Sequence, residues 1–234
     1  MHHFETDAEL RSFRTEVIAV AAADRVVANA GRAYCDLTSG HSSILDAFTT
    51  LTSTYLVTTG ALLHPPVGSR PLRILEGVLA RTCPKQVAAE FNVSLSTVTG
   101  LLKQTLMRLG SDCQPSRIPL GLVALTYAAR FNRPLPAVYE SSVRLLGVDC
   151  KIFMTPLPSL SGLFSPAVED VFLLHAAGKS HLEIAKLRGR SMRTVANQLA
   201  TAFQRIGSSG RLSAVEFLLT RGQSPRLEKL DQTG

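Results

Sequence analysis

The chain has 234 residues, of which 45% are hydrophobic, enough for one large domain or two to three small domains with buried cores. Only 6% of the residues are aromatic and none is Trp, while Leu and Ala dominate, a composition that favours helices over sheets. The net charge of +7 suits a polyanionic partner. The composition excludes a disordered chain and predicts a basic, mostly helical protein.

Positive charge concentrates in two segments of the chain. Residues 1–63 hold 4 Lys and Arg against 7 Asp and Glu, and residues 135–163 hold 2 of each class. Residues 64–134 hold 9 basic against 3 acidic residues, and residues 164–234 hold 10 against 6. A polyanionic partner is therefore expected to bind the two basic segments.

Four cysteines, Cys35, Cys83, Cys113 and Cys150, stand far apart in sequence and predict neither a disulfide framework nor a zinc site. The apolar run VIAVAAA at 17–23 is too short to span a membrane and lacks the basic flank of a signal peptide. We therefore expect a cytoplasmic protein with free thiols, no cofactor, no metal site and no membrane partner.

The N-terminal segment, residues 1–63, carries two apolar patterns that predict helices. The first predicts a helix over residues 6–30 with a narrow apolar seam, which favours a homodimer formed through this acidic segment. The second begins at Ser42 or Ser43 and continues to Tyr55, although its Thr-rich composition is unfavourable for a helix. The seam consists of Leu10, Phe13, Val17, Val20 and Val27, and the second pattern consists of Ile44, Phe48, Leu51 and Tyr55.

Prolines and glycines mark the boundaries between units. The stretches HPPVGSRP at 64–71 and FNRPLP at 131–136 cannot continue a helix, and MTPLPSLSG at 154–162 is expected to be irregular. A short helix over residues 137–147 is expected between the two units. The predicted organisation after the N-terminal segment is a first helical unit at 71–130, a linker at 131–163, a second helical unit at 164–222 and a flexible tail at 223–234.

One capped helix occurs twice, at an offset of 97 residues. SLSTVTGLLKQTLMRLG spans 94–110 and SMRTVANQLATAFQRIG spans 191–207, and the two copies align without a gap. Each copy begins with a serine that can cap a helix and ends with a glycine that can end one. The identical pairs are Ser94 and Ser191, Thr97 and Thr194, Val98 and Val195, Leu102 and Leu199, Arg108 and Arg205, and Gly110 and Gly207.

The second unit is predicted to contain four helices. Ser165 caps the first helix and Gly178 ends it, and a short helix then leads to Gly189, which tolerates the positive φ of a tight turn. Ser191 caps the repeated helix, and a last helix over residues 212–221 closes the unit. A short helix, a tight turn and a capped helix together make a helix-turn-helix arrangement.

Residues 165–222 contain the motifs S-P, G-K-S-H-L-E-I-A, T-V-A-N-Q-L and R-L-S-A-V at fixed spacings. The motifs resemble the C-terminal DNA-binding domain of LuxR/FixJ-type regulators. Because the first unit is a weaker match to the same family, the resemblance covers about half of the chain and implies an all-α fold with tandem four-helix domains. The matching residues of the second unit are Ser165, Pro166, Val171, Leu174, Ala176, Gly178, Ser180, Glu183, Ile184, Ala185, Ser191, Thr194, Val195, Asn197, Leu199, Gly207, Arg211, Ala214 and Val215.

Three residues of the second unit depart from the family pattern. Arg188 and Arg190 stand where the family has apolar residues beneath the turn, and Gln198 replaces the usual histidine. Either the turn uses Leu187 in their place, or the two arginines extend outward into solvent. The fold prediction is compatible with both geometries.

The first unit keeps the apolar scaffold of the family but not its polar face. Ser96 stands in place of Arg193. Gly100 stands in place of Asn197, and a glycine inside a helix costs about 1 kcal/mol relative to alanine. The residues that preserve the scaffold are Val87, Ala88, Phe91, Asn92, Val93, Ser94, Thr97, Val98, Leu102, Leu109 and Gly110.

The resemblance implies DNA contacts on and beside the two repeated helices. In the second unit Arg193 can read guanine, Asn197 can read adenine, and Thr201 continues their face. For the first unit, both DNA contact and a packing or pairing role stay open. The predicted DNA-binding residues are Lys179, Arg190, Ser191, Arg193, Thr194, Asn197, Gln198, Thr201 and Arg211, with Lys179, Arg190, Thr194 and Arg211 as phosphate anchors, and Ser94, Ser96, Thr97, Thr99, Lys103 and Gln104 in the first unit.

These features predict a sequence-specific transcriptional regulator that binds double-stranded DNA on the bacterial nucleoid, with RNA polymerase or another regulator as a further partner. The first alternative is a non-enzymatic adaptor that uses degenerate helix-turn-helix domains to bind another regulator. A sigma-factor-like protein is a more remote alternative. An enzyme is not expected, because the sequence shows no nucleophile and base pair, no Gly-rich phosphate loop and no metal-ligand spacing. No catalytic residue is therefore predicted.

Overall fold

The computed structural model describes residue 4 and residues 6–60, 65–80, 84–131 and 137–221, where it contains ten α-helices and an antiparallel sheet of five strands. None of the described helices is long and apolar enough to cross a membrane. The predicted tail at 223–234 and Cys83 lie outside the described residues. In chain order the elements are α1 (Asp7–Ala23), β1 (Val26–Val27), α2 (Ala30–Thr38), β2 (Ser43–Thr49), β3 (Ser53–Thr59), α3 (Ser69–Leu79), α4 (Pro84–Glu90), α5 (Leu95–Arg108), a 3₁₀ helix (Pro115–Arg117), α6 (Leu120–Arg130), β4 (Tyr139–Leu145), β5 (Val148–Pro156), α7 (Pro166–Ala176), α8 (His181–Arg188), α9 (Met192–Ile206) and α10 (Arg211–Thr220).

The sheet shows that the prediction of an all-α chain is wrong. Its strand order is β1-β4-β5-β3-β2, and every neighbouring pair is antiparallel. Strands β2 and β3 form a hairpin where the sequence pattern predicts a helix through Tyr55. All seven residues of β3 are buried, and its threonines and valine fit a pleated, two-sided environment better than a helix.

A second hairpin replaces most of the predicted linker at 131–163. Strand β4 occupies the place of the helix predicted over residues 137–147, and β5 includes the first three residues of the stretch expected to be irregular. Four consecutive residues of β5, from Ile152 to Thr155, are buried. A short apolar run of this kind has no periodicity that separates a buried strand from a helix.

The first helix is shorter than the prediction of a helix over residues 6–30. It ends at Ala23, and Asp24 is already in an extended conformation. Val26 and Val27 then pair with β4, and α2 begins only after this strand. Two adjacent β-branched residues favour this extended pairing over a continued helix.

The apolar seam of α1 is covered by the chain's own sheet. Phe13 and Val17 are buried, and they pack in one cluster with Tyr55 and Met154. Val27, the last residue of the predicted seam, is 71% exposed in β1. Most of the seam on α1 is thus occupied within the chain, and the homodimer through the N-terminal segment stays a prediction.

Helices α2 and α6 cover the opposite face of the sheet. Leu56 of β3 and Phe153 of β5 belong to the large core on this side, together with Leu37 of α2. Gly121 allows α6 to approach β3 closely, because a Cβ atom there would lie 3.0 Å from the carbonyl oxygen of Tyr55. The sheet is therefore a central layer between α1 and the pair formed by α2 and α6.

The 97-residue offset extends well beyond the repeated helix. Helices α3 and α7 begin and end 97 residues apart, α5 and α9 begin 97 residues apart, and β3 corresponds to the last seven residues of β5. Each half of the chain therefore contains a hairpin followed by four α-helices, of which the first three begin 97 residues apart in the two halves. The repeated unit is larger than the helix-turn-helix that the sequence identifies.

Candidate nucleic-acid interface

Helix α9 is fixed at both ends by local hydrogen bonds. At its start, the Oγ atom of Ser191 accepts a hydrogen bond from the backbone N–H of Thr194 at 3.1 Å. At its end, Gly207 adopts a φ of 65° and its N–H donates to carbonyl groups of the last turn. These contacts satisfy polar groups that a helix leaves unpaired, and they define where α9 begins after the turn.

One face of α9 is buried and the other is exposed. Val195, Leu199 and Ala202 are buried, and α9 packs against α7 and α8. Arg193 and Asn197 are exposed, and because they are four residues apart they lie on the same side of the helix. Apolar packing on one side thus determines which side chains a partner would meet on the other.

The turn between α8 and α9 keeps its arginines at the surface. Gly189 adopts a φ of 58° there, as the predicted tight turn requires. Arg188 forms an ion pair with Asp170 of α7, Arg190 is exposed, and Leu187 is 63% exposed. Arg190 therefore extends outward as in the second of the two geometries, whereas Arg188 is partly buried by its ion pair, and the exposed Leu187 does not pack beneath the turn.

Four exposed basic side chains belong to α8, α9 and the turns before them. Lys179, Lys186, Arg190 and Arg193 are exposed, and their side chains form no hydrogen bond or ion pair with any residue that the structure describes. Hydrogen bonds from Ser180 lower the pKa of Glu183, and the charge of Lys179, which lies near that carboxylate, helps to lower it. Together the four exposed cations give this surface a positive potential that attracts phosphate. Lys186 is missing from the predicted site, although its place on the polar side of a short helix before Arg193 could have indicated it.

The other predicted residues of α9 are less free. The hydroxyl oxygens of Ser191 and Thr194 lie 2.9 Å apart, and the hydroxyl of Thr201 donates to the carbonyl oxygen of Asn197 at 3.0 Å. Gln198 is only partly exposed. In the first two turns of α9, Arg193 and Asn197 are therefore the exposed long polar side chains that form no hydrogen bond within the described part of the protein.

Arg211, predicted as a phosphate anchor, is committed to contacts within the protein. Its guanidinium donates to the carbonyl oxygens of Ala176 at 3.0 Å, Ser116 at 3.4 Å and Ile118. Burial lowers the pKa of Arg211 to about 10. Because Ser116 and Ile118 belong to the first unit, Arg211 joins the two units rather than facing a partner.

Helix α5, the first-unit counterpart of α9, begins with a cluster of hydroxyl groups. The Oγ atom of Ser94 accepts a hydrogen bond from the N–H of Thr97 at 3.1 Å. The same atom lies 2.7 Å from the Oγ of Ser96 and 2.8 Å from the Oγ1 of Thr97. All three residues are exposed but their hydroxyls bond one another, and at the position of Arg193 in α9 this helix carries only the hydroxyl of Ser96.

The rest of the exposed face of α5 carries little charge. Lys103 and Gln104 are exposed, and the hydroxyl of Thr99 donates to the carbonyl oxygen of Leu95 at 3.0 Å. A Cβ atom at Gly100 would meet nothing within 4 Å, so no neighbouring group explains the glycine. This face can contact phosphates but has few groups that distinguish one base from another.

A cleft of about 520 Å³ separates α5 from the second unit. Thr99 and Leu102 line one side of the cleft, and residues 209–213 line the other. Thr99 therefore faces the second unit at the margin of the α5 surface. The cleft places the two units side by side.

His175 is an ionisable group inside the core of the second unit. Both of its ring nitrogens are buried and have no hydrogen-bond partner among the described residues. Its ring lies 5.9 Å from that of His181 and 5.7 Å from that of Phe203. Burial, followed by the charges of His181 and Arg211, lowers the pKa of His175 to about 4, so the imidazole is neutral at pH 7.

We expect the protein to lose stability in mild acid because of His175. The pKa of His175 is about 4 in the folded chain, below the ordinary value of 6.5. The unfolded chain therefore binds a proton at this residue more readily than the folded chain does. Above pH 6.5 this difference costs no stability, and the free energy of unfolding decreases as the pH falls from 6.5 towards 4. Between pH 7 and pH 4.5 the free energy of unfolding should fall by about 2 kcal/mol more than in His175→Leu. Urea unfolding at both pH values measures this difference, and an equal fall in both proteins would contradict it.

No family model, no curated protein sequence and no solved structure matches the chain. The resemblance to LuxR/FixJ-type domains therefore stays an expectation from the residue pattern of the second unit. The chemistry of the interface is accordingly inferred from the contacts and exposures described above.

Proposed function

We propose that the protein is a sequence-specific transcriptional regulator that inserts α9 into the major groove of double-stranded DNA. The observation that carries this proposal is the exposed face of α9, where Arg193 and Asn197 stand four residues apart while the opposite face is buried. The resemblance of residues 165–222 to LuxR/FixJ-type domains supports the same function. Such a regulator acts on the bacterial nucleoid, alone or with RNA polymerase or another regulator.

Each polar side chain of the interface has a role that follows from its chemistry. The guanidinium of Arg193 can donate two hydrogen bonds to guanine, and the amide of Asn197 can donate to and accept from adenine. Lys179, Lys186 and Arg190 can neutralise phosphates, which positions the helix without selecting a sequence. In this proposal α9 selects the sequence and the surrounding cations supply most of the affinity.

Arg193→Ala should lower the affinity for the preferred DNA sequence by about 1–3 kcal/mol, because a bidentate contact with a base is lost. The affinity for scrambled DNA should change much less, because no specific base contact exists there to lose. Fluorescence anisotropy measures both affinities, with a duplex selected from a randomised pool and a scrambled duplex of the same composition.

Lys186→Ala is the matched control for Arg193→Ala. It removes one cation from the same surface and should weaken binding to all sequences similarly, while the slope of log affinity against log salt concentration decreases by about one. If Arg193→Ala instead weakened binding equally on preferred and scrambled DNA, Arg193 would be a phosphate contact and the assignment of base reading to it would be wrong.

The second candidate function is that of an adaptor that binds another protein. It is favoured by the polar face of α5, where Lys103 is the one basic residue between positions 94 and 107. An adaptor built from such domains would bind no duplex even at low salt, where phosphate contacts are strongest. The same anisotropy measurement at about 50 mM salt therefore separates the two functions.

A further inference from the structure

We propose that a single chain binds two neighbouring half-sites on one DNA duplex, with α9 reading the bases of one and α5 holding the phosphates of the other. The inference rests on the proposed function and goes beyond it, because it states how many chains bind and how the two halves of the target differ. Three observations carry it: the symmetry of the sheet, the attachment of the two helices, and the contacts between the units.

The centre of the sheet contains an internal two-fold relation. Strands β3 and β5 are antiparallel, and the register pairs Ser53 with Pro156 at one end and Thr59 with Cys150 at the other. At the midpoint Leu56 pairs with Phe153, its own counterpart at the 97-residue offset. An antiparallel pair in this register has a local two-fold axis perpendicular to the sheet, at the point where equivalent residues meet.

Because of this two-fold relation, one chain contains two symmetry-related helix-turn-helix units, which in a symmetric dimer come from two subunits. In an isologous interface the same element of both subunits meets at the axis. Here the equivalent strands of the two repeats meet within one polypeptide, and a helix-turn-helix follows each of the two hairpins. Helix-turn-helix proteins that grip two half-sites use two such units. This chain contains both of them.

Helices α5 and α9, the two proposed DNA-contacting helices, are both attached to the core at their C-terminal ends. After α5, the carbonyl oxygen of Leu109 accepts a hydrogen bond from the N–H of Ile44 in β2 at 2.7 Å. At the end of α9, the guanidinium of Arg205 donates to the carbonyl oxygen of Leu163, in the segment that follows β5. The N-terminal turns of both helices remain exposed, which is the half that enters the groove in this class of proteins.

The two units also contact each other directly. Arg211 of the second unit donates to the carbonyl oxygens of Ser116 and Ile118 in the first. Arg117 of the first unit forms an ion pair with Glu183 of the second at 3.1 Å. These contacts hold the units in a defined arrangement, so binding of one raises the effective concentration of the other at the same duplex.

The two half-sites should differ in how strictly their sequence is read. Helix α9 carries Arg193 and Asn197, whereas α5 carries Ser96 and Gly100 at the equivalent positions. Hydroxyl groups and the cation of Lys103 can contact phosphates but select bases poorly. The target is therefore a duplex in which one half-site has a defined sequence and the other has a nearly free sequence. The two half-sites lie on consecutive turns of the double helix, on the same face of the DNA.

The test uses the full chain and duplexes of about 40 bp selected from a randomised pool. Sedimentation of the complex gives the number of bound chains, and hydroxyl-radical footprinting gives the length of protected DNA. We expect one chain per duplex and protection over about 20 bp, since adjacent half-sites lie about 10 bp apart. Base preference should be confined to one half of the protected region.

Ser96→Glu tests the contribution of α5, because it places a carboxylate where a phosphate should lie. It should shorten protection to about 10 bp and weaken binding about tenfold on every sequence, while the preferred half-site stays the same. Met107→Glu is the matched control, since it adds the same charge at an exposed position near the other end of α5 and should leave the footprint unchanged.

Two chains on one duplex, protection of only one half-site by the unmodified chain, or an unchanged footprint with Ser96→Glu would each overturn this inference and leave the proposed function intact. Failure to bind any duplex at low salt would overturn the proposed function itself, and this inference with it. The two failures are distinguished by whether the unmodified chain binds DNA at all.

Discussion

Gly110→Ala should lower the free energy of unfolding by about 3–5 kcal/mol, because both the backbone conformation and the space at this position require glycine. Gly110 has a φ of 88°, and a Cβ atom there would lie 2.5 Å from the carbonyl oxygen and 2.9 Å from the nitrogen of Ile44. The same strand residue donates its N–H to Leu109, so the clash separates α5 from the sheet. Urea unfolding followed by circular dichroism measures the loss.

Gly207 provides the matched control, because it is the counterpart of Gly110 at the 97-residue offset. It also has a positive φ, 65°, but a Cβ atom there would meet nothing within 4 Å. Gly207→Ala should therefore cost only the left-handed backbone conformation, about 1–2 kcal/mol. Equal losses in the two variants would show that the contact with β2 contributes nothing and that backbone conformation alone sets the cost.

The helices of both units could be predicted because their ends are set by capping and terminating residues that are recognisable in the sequence. Ser191 caps α9 and Gly207 ends it, and both act through contacts within a few residues along the chain. Likewise Ser180 and Glu183 form a capping box at the start of α8. Interactions of this range depend little on the rest of the fold, which is why sequence spacing can predict them.

The hairpins depend on distant partners and were therefore not predictable in the same way. In β2, Ile44 and Phe48 are four residues apart, a spacing that imitates a helix face. Strand β3 is buried on both faces because α1 covers one side and α2 and α6 the other, so it shows no alternation of polar and apolar residues. The repeat is also not recognisable from the sequences of these strands, since STYLVTT in β3 and its counterpart CKIFMTP in β5 have only one identical residue, a threonine.

The residues of the candidate site also differ in whether local sequence or tertiary packing determines their contacts. Arg193 and Asn197 were predicted as DNA contacts from the family resemblance and from their place on one side of one helix, and their exposure follows from the apolar residues opposite them. Arg211 matches the family pattern equally well, yet the first unit packs against it and takes up its donors. Whether a surface arginine meets a partner or a neighbouring unit is a tertiary property, which no local spacing reports.

Arg211→Met should lower the free energy of unfolding by about 2–3 kcal/mol, because it removes the donor to the partly buried carbonyl oxygens of Ala176 and Ile118 and to the exposed one of Ser116. Arg117→Met is the control: it removes another arginine that joins the two units, whose ion pair with Glu183 is largely exposed, and should cost less than about 1 kcal/mol. Urea unfolding of the two variants measures both losses. A cost for Arg211→Met no larger than that for Arg117→Met would show that the bonds of Arg211 do not hold the two units together.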